Sequence, residues 1–343
     1  MAIVAVMADP GLPERLASRL AEPLRDVLMS WTGSEKEWDV QVGQKTLQLD
    51  GDGQVPLMDR AEELRAANGW DFIVYITDLP RFHDHQTLLT ESDGSCGAAL
   101  VSLPALGWFR VRTALQKELV RVVKDLAVQA EIAQGSAGSS QAAGEGRGTV
   151  HSSDGARTYE TIPDRRGQVR LLGGMVRSNR PGRLVESLSS AAGAAMATGA
   201  FGTFYASIWS MADSSSSLRL ALITVFAVTA LTGWLIVHNG LWPNARTDPN
   251  GTSATLDDMA TVVTVLLSVA VIYGGLYLAV LLGSLVVISG QYMQAQLGHP
   301  VSIVEYANLA WLSGSLGTLA GAMGSNFDGA DAVRKATYSG REH

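Results

Sequence analysis

Four long apolar stretches in the second half of the chain constrain its fold more than any other feature. A helix needs about 20 mostly apolar residues to cross a hydrocarbon core about 30 Å thick, and each stretch meets that length. Ionisable residues in this half fall in or beside the predicted loops. The pattern predicts an all-α membrane region of four transmembrane helices over residues 187–325. The predicted spans are 188–211, 218–238, 259–289 and 303–324.

The third stretch is longer than one crossing requires. At about 1.5 Å per residue, residues 259–289 would form a single helix about 46 Å long. Such a helix would have to tilt, extend into the interface, or break at Gly274–Gly275. A hairpin of two crossings is less well supported, because it would need roughly 40 residues plus a turn.

Basic residues are distributed unevenly around these stretches. Arg334, Lys335 and Arg341 follow the last stretch, whereas the loops 212–217 and 290–302 contain no Lys or Arg. Cytoplasmic loops carry the excess of basic residues in membrane proteins. We therefore expect a multi-pass protein of the inner (plasma) membrane with both termini in the cytoplasm.

Six arginines lie in residues 165–186, directly before the first stretch. Arginines beside a membrane helix attract anionic lipid head groups by roughly 1 kcal/mol each, so we predict a juxtamembrane segment in contact with the bilayer surface. A short helix there would place Leu171, Leu172, Met175 and Val176 in the interface. The alternative is a solvated basic loop that only fixes the topology. The predicted surface contacts are Arg165, Arg166, Arg170, Arg177, Arg180 and Arg183.

Small residues recur every four positions in the third and fourth stretches. This spacing lets helix backbones approach closely. We predict that these helices pack within the chain; a homo-oligomer formed through the same small-residue faces is the alternative. The predicted packing residues are Gly275, Ala279, Gly283, Gly317 and Gly321.

The first third of the chain, residues 1–133, has the pattern of a soluble α/β domain. Apolar runs at Ile3–Ala8, Phe72–Ile76 and Ala98–Val101 are typical of strands buried on both faces of a parallel sheet. Between the first two runs lies a segment whose apolar residues recur at helical spacing. A long amphipathic helix follows the third run, from about Trp108 to Ala130. This order predicts a mostly parallel sheet covered by helices on both faces, which is a three-layer domain.

The domain is followed by a Gly- and Ser-rich segment. Residues 134–164 contain few large apolar side chains, so their burial would not offset the entropy of folding. We predict a flexible linker over 134–164 and, after the last apolar stretch, a cytoplasmic tail over 326–343.

Polar residues follow three of the predicted strands. Asp9 follows the first, Asp78 and Arg81 follow Phe72–Ile76, and Ser102 follows the third. Ligands of open α/β sheets bind outside the carboxyl ends of the strands. These four residues therefore form the candidate ligand-binding site, which would suit a cation or a polyol. The alternative is that Asp9 and Asp78 cap turns and helix N-termini.

Other patterns of reactive residues are weak or missing. The single cysteine excludes a disulfide framework and a Cys-rich zinc site. His83 and His85 lie two residues apart without further ligands at metal-binding spacing, so we expect no metal. The Gly-x-Gly-x-x-Gly fingerprint is missing, so we expect no cofactor and assign no catalytic residue. A net charge of -7 argues against nucleic acid as a partner.

Eight motifs carry a resemblance that covers nearly the whole chain except the linker. They are Thr77–Pro80, Ser102–Gly107, Gly174–Val185, Ala200–Trp209, Leu297–Pro300, Tyr306–Leu312, Gly321–Ser325 and Ala332–Glu342. On these motifs the chain resembles a family of uncharacterised four-span membrane proteins of high-GC bacteria. The resemblance implies a cytoplasmic α/β domain and C-terminal membrane helices. Some members are labelled methylenetetrahydrofolate dehydrogenase, but the motifs indicate no reaction type.

These observations predict an integral membrane protein without enzymatic activity, whose cytoplasmic domain senses, scaffolds or regulates an unidentified protein at the bilayer. One alternative is a membrane-anchored enzyme at the strand ends, including a folate- and NAD(P)-dependent dehydrogenase. A transporter of small solutes is the third. Transport usually needs ionisable groups at the membrane centre, whereas the strongest polar residues in the stretches are uncharged. These are Tyr205, Tyr273, Tyr277 and Asn308.

Overall fold

The computed structural model divides the chain into two compact units. The α/β unit is built on Met1–Ser178, and the helical unit on Asn179–Thr247 and Asp257–Ser339. Each unit is described by itself. The residues that the structure describes are 1–32, 37–43, 46–50, 54–84, 86–133, 150–154, 157–179, 181–241, 252–325, 333 and 337.

The α/β unit contains one mixed sheet in the strand order β2-β1-β3-β6-β5-β8-β7, with β4 paired to β5. Strands β2, β1, β3 and β6 run parallel, and β5, β8 and β7 extend the sheet in antiparallel fashion. A 3₁₀ turn at Pro104–Leu106 follows β6. The elements are β1 (Ala2–Ala8), α1 (Leu12–Thr32), β2 (Trp38–Gly43), α2 (Leu57–Asn68), β3 (Phe72–Thr77), β4 (Phe82–His83), β5 (Gln86–Asp93), β6 (Ala98–Ser102), α3 (Val111–Ala133), β7 (Val150–Asp154), β8 (Arg157–Ile162) and α4 (Asp164–Ser178).

The predicted α/β class is confirmed, but the sheet is mixed and not mostly parallel. All residues of β3 and β6 are buried. A central strand that is covered on both faces has no solvent-facing side, which explains why these strands are mostly apolar and do not alternate with polar residues. From β1 the chain moves to β2 on one side and then returns to β3 on the other. Right-handed crossovers therefore place α1 and α2 on opposite faces of the sheet.

Strands β7 and β8 correct the predicted linker. Residues 150–154 and 157–162 lie within the segment predicted to be flexible, yet they pair with each other, and β8 pairs with β5. Ile162 is buried, and the backbone hydrogen bonds of the sheet compensate for the few apolar side chains. Residues 134–149 and 155–156 of the predicted linker lie outside the described residues.

Helix α4 corrects the predicted juxtamembrane segment. Leu171, Met175 and Val176, predicted for the bilayer interface, are buried inside the α/β unit. Gly174 lies so close to the 3₁₀ turn that a Cβ there would collide with the carbonyl oxygen of Pro104. The α/β unit therefore extends to Ser178 and does not end at residue 133.

The helical unit contains two helices that are long and apolar enough to cross a membrane, Ser217–His238 and Thr255–Val287, among the residues that the structure describes. The longer one passes through Gly274–Gly275 without a break. The predicted span 188–211 is divided in two at Tyr205, whose backbone is extended. The helices are α5 (Pro181–Ser187), α6 (Ser189–Phe204), α7 (Ala206–Asp213), α8 (Ser217–His238), α9 (Thr252–Val287), α10 (Gly290–Leu297) and α11 (Ile303–Gly324).

The small residues of α11 lie at its crossing with α6. A Cβ at Gly317 would sit 2.5 Å from the carbonyl oxygen of Ala195, and one at Gly321 would sit 3.1 Å from that of Ala191. Such backbone approach requires glycine. The small residues of α9 lie elsewhere: a Cβ at Gly275 or Gly283 would meet no described atom within 4 Å, and Ala279 is partly exposed.

Candidate functional site

The carboxyl ends of β1 and β3 form the point at which the strand order of the parallel strands reverses. Doubly wound sheets bind ligands at this position. Asp9 directly follows β1, and Asp78 directly follows β3. Ser102 ends β6 and lies opposite Thr77 in the register of β3 and β6. The structure therefore brings three of the four predicted ligand-binding residues to one edge of the sheet.

The Asp9 carboxylate is fully buried and accepts three hydrogen bonds. The Tyr75 hydroxyl donates to its Oδ1 atom at 2.6 Å, and the Thr77 hydroxyl donates to Oδ2 at 2.7 Å. The backbone N–H of Asp78 also donates to Oδ2, at 3.0 Å. A buried charge needs such donors, so Asp9 has a sufficient structural role in joining the ends of β1 and β3.

The other predicted site residues are also engaged by neighbours. The Ser102 hydroxyl is buried and donates to the carbonyl oxygen of Leu79 at 3.0 Å. The guanidinium of Arg81 forms a 2.7 Å ion pair with Glu91 of β5. Asp78 is 7% exposed. Ligand binding by Asp9, Asp78, Arg81 and Ser102 stays a prediction.

Two surface hollows of the described residues lie away from this edge. One of about 550 Å³ is lined by residues at the amino ends of β1 and β2 and by side chains of α1, including Trp38 and Arg25. A smaller one of about 300 Å³ lies beside α2, at Arg65 and Trp70. Neither hollow is lined by Asp9, Asp78 or Ser102.

A buried charge cluster links α3 to the antiparallel part of the sheet. The guanidinium of Arg121 contacts the carboxylates of Glu118 and Glu160, and Thr90 of β5 donates to Glu118 at 2.5 Å. Glu118 and Glu160 are both buried. The acceptor Glu160 belongs to β8, which lies in the segment that was predicted to be linker.

Arginines of the predicted lipid-contacting segment have different environments. Arg177 donates to the carbonyl oxygen of Gly107 at 2.5 Å, and its burial lowers its pKa to about 10. Its guanidinium therefore bonds within the α/β unit and does not form the predicted lipid contact. Arg165, Arg166 and Arg183 are exposed. Arg170 is also exposed, although partial desolvation of its guanidinium lowers its pKa, and Arg180 lies outside the described residues.

Polar side chains inside the helical unit bond to one another. The Thr224 hydroxyl lies 2.9 Å from the Ser315 hydroxyl and 3.2 Å from that of Tyr273. The indole N–H of Trp311 donates to Thr224 at 2.7 Å. The network joins α8, α9 and α11 and contains no charge, so it is typical of hydrogen bonds that hold membrane helices together.

A second polar cluster lies at the ends of helices. It consists of Asp213, His299 and Glu305, whose side-chain atoms that could coordinate a metal ion lie within 4.8 Å of one another. The Nε2 atom of His299 lies 3.0 Å from Asp213 Oδ2, and this hydrogen bond raises the pKa of His299. Glu305 accepts from the Ser302 backbone at 2.6 Å and closes the capping box of α11. Local bonds thus account for all three groups.

Of the two histidines considered in the sequence, the structure describes only His83. His83 stacks on Tyr159 with 3.8 Å between ring centroids and lies 3.5 Å from the Asp84 carboxylate. His85 lies outside the described residues.

No family model, curated protein or solved structure matches the sequence. The family resemblance stays an expectation, and function has to be inferred from the residues themselves.

Proposed function

We propose that this chain is an integral membrane protein whose helical unit anchors the α/β unit at the cytoplasmic face, where that unit serves as a non-enzymatic scaffold or sensor. One observation carries the proposal: the outward surface of the helical unit is apolar. Exposed side chains are large and apolar along α6, α8, α9 and α11. Examples are Phe204, Leu218, Val225, Val237, Leu282, Val286, Ile303 and Met323.

Such a surface is incompatible with water but suited to lipid. Soluble monomers rarely expose contiguous apolar patches larger than a few hundred Å². Inside this unit, polar side chains bond to one another in the network of Thr224, Tyr273 and Ser315, and exposed polar side chains such as Asp213, Ser214 and Gln291 lie at or near helix ends. Among the described residues of the unit, none of the buried polar side chains is charged. Acyl chains are the solvent that this distribution favours.

The helical unit has enough helices for four membrane crossings. Helices α8 and α9 have the required length and hydropathy, α11 contains 22 residues, and α6 with α7 would make the remaining crossing. The loops after α7 and α9 carry no Lys or Arg, which supports their extracytoplasmic location. Both termini would then face the cytoplasm.

A scaffold agrees better than an enzyme with the α/β unit. The groups at the strand ends bond to one another, as Asp9 does to Tyr75 and Thr77. Transport is disfavoured because the buried polar side chains among the described residues of the helical unit are uncharged.

Cysteine labelling tests the anchoring. Cys96 is buried, and burial raises its pKa, so its thiol should react only slowly with maleimide. Replacing Cys96 with alanine removes this background reaction. In that protein, Ser214→Cys and Gln291→Cys should react with a membrane-impermeant maleimide in intact cells, and Glu63→Cys only after permeabilisation. If α8 and α9 alone crossed the bilayer, all three positions would lie on one side and label alike. That result, or release by alkaline carbonate, would overturn the proposal.

Thermal-shift measurements test the absence of a ligand site. The purified full chain is heated with nucleotides, folates or divalent cations, and we expect no stabilisation. A rise in melting temperature that Asp78→Asn abolishes, without lowering the stability of the free protein, would instead support an enzyme at the strand ends.

A further inference from the structure

We propose that the α/β unit carries a membrane-docking patch that binds anionic lipid head groups and is built around two exposed aromatic residues. The patch consists of Trp108, Phe109, Arg110, Arg112, Arg166 and Val169. The inference rests on the proposed membrane anchoring and deepens it, because it assigns the surface with which the α/β unit meets the bilayer.

The two aromatic residues protrude between the 3₁₀ turn and α3. Phe109 is 82% exposed and Trp108 is 39% exposed. Gly107 and Arg110 on either side have positive φ angles of 84° and 51°, which turn the chain sharply before and after the pair. Few large apolar side chains of this unit are exposed, so two adjacent aromatic residues at a turn form a distinct apolar tip.

Helix α4 lies directly beside this tip. A Cβ at Gly173 would sit 3.6 Å from Trp108 Cβ, and a Cβ at Gly107 would sit 2.8 Å from Arg170 Cγ. Val169, next to Arg170 in α4, is 69% exposed. The apolar tip is thus extended by an exposed side chain from a second element.

The surroundings of the tip are basic. Arg110, Arg112 and Arg166 are exposed. Glu118, the first acidic residue of α3, is buried and paired with Arg121. Arginines at a bilayer surface attract anionic lipids, and aromatic side chains settle at the level of the head groups.

Chain connectivity favours a bilayer as the occupant. Helix α4 ends at Ser178 and α5 begins at Pro181, followed by α6 from Ser189. Two residues of the patch, Arg166 and Val169, therefore belong to the helix that directly precedes the helical unit. The predicted lipid contact is retained for Arg166 but not for Arg177, whose guanidinium bonds to Gly107.

An environment-sensitive fluorophore on the full chain tests the patch. Phe109→Cys in the Cys96→Ala protein is labelled with a nitrobenzoxadiazole probe and reconstituted into phosphatidylcholine vesicles with or without phosphatidylglycerol. We expect a blue shift and a gain in emission with phosphatidylglycerol, and quenching by lipids with spin labels near the head group. The matched control is Glu63→Cys on α2, which should show neither change.

Charge reversal and a second reporter complete the test. Arg110→Glu with Arg112→Glu should abolish the lipid-dependent shift at Phe109→Cys. If the probe at position 109 prevents folding, Val169→Cys reports the same event. Equal emission in both lipids, in protein that still resists carbonate extraction, would overturn the patch while leaving the anchoring intact. A shift that requires an added protein and not the anionic lipid would overturn it in favour of a protein partner.

Discussion

The two units of this molecule distribute polar and apolar residues in opposite ways. In the α/β unit, exposed side chains include many charged ones, and the buried carboxylates of Glu118 and Glu160 pair with Arg121. In the helical unit, the exposed residues include Leu218 and Val286, whereas Thr264, Ser268 and Ser315 are among the buried ones. The contrast supports the proposal that water surrounds the α/β unit and lipid surrounds the helical unit.

The forces that stabilise the two units differ accordingly. Burial of apolar surface stabilises the α/β unit by about 25 cal/mol per Å². Lipid tails are as apolar as a leucine side chain, so association of membrane helices depends on close packing and hydrogen bonds. In the helical unit these are supplied by the crossing of α6 and α11 at Gly317 and by the network around Thr224.

The largest expected effect is the loss of a buried charge in the α/β unit. Arg121→Met leaves two buried carboxylates without their cation, which we expect to cost about 3–5 kcal/mol. The measurement is denaturant unfolding followed by a signal from this unit. The control is Arg60→Met, which removes an exposed ion pair in which Arg60 Nε lies 3.9 Å from Glu63 Oε2. This change should lower the free energy of unfolding by about 0–1 kcal/mol. Equal losses would show that the buried cluster contributes no more than a surface pair.

The second largest expected effect is a loss of stability when a glycine at a helix crossing is enlarged. We expect it at Gly317 but not at Gly275. Gly317→Leu forces a side chain into the carbonyl oxygen of Ala195 and should destabilise the helical unit by about 1–3 kcal/mol. Gly275→Leu enters open space and should be nearly neutral. Thermal unfolding in detergent compares them. If Gly275→Leu is the worse variant and also changes the oligomeric state, α9 packs against a second copy of the chain.

The interhelical hydrogen bonds should give a smaller effect. Thr224→Val removes the hydroxyl that bonds to Ser315 and Trp311. Such bonds contribute about 0.6 kcal/mol on average in membranes. Thr229→Val in the same helix removes a hydroxyl that bonds only to its own backbone, to Val225 and Phe226. A larger loss at Thr229 than at Thr224 would contradict a role for the network in holding α8 to its neighbours.

Local hydropathy in the sequence predicted those features that depend on local pattern. Strands β1, β3 and β6 and helices α8 and α9 are largely continuous apolar runs, α3 is amphipathic, and all of them form close to the predicted positions. Strands β7 and β8 were missed because pairing with a distant strand, and not local hydropathy, holds them in place. For the same reason α4 was assigned to the membrane surface: its apolar face is buried against residues near Pro104.

Site residues depend even more on distant contacts. The positions of Asp9, Asp78 and Ser102 at one sheet edge followed from strand order, which the sequence pattern indicated. Their bonding partners did not, because Tyr75 reaches Asp9 across 66 positions in the chain. The cluster at Arg121 likewise depends on Glu160, which is 39 positions away.

The smallest expected effect is a pH dependence at the surface of the helical unit. The hydrogen bond to Asp213 raises the pKa of His299 in the folded protein, so protonated His299 is favoured by folding. The pair contributes fully below the ordinary histidine pKa, about 6.5, and its contribution is lost as pH rises through the folded value. Melting temperatures of the wild type and His299→Gln should therefore differ at about pH 6 and converge at about pH 9. Asp213→Asn should abolish this pH dependence, because the neutral amide no longer favours the imidazolium. A difference that grows with pH would mean that neutral His299 is the stabilising form.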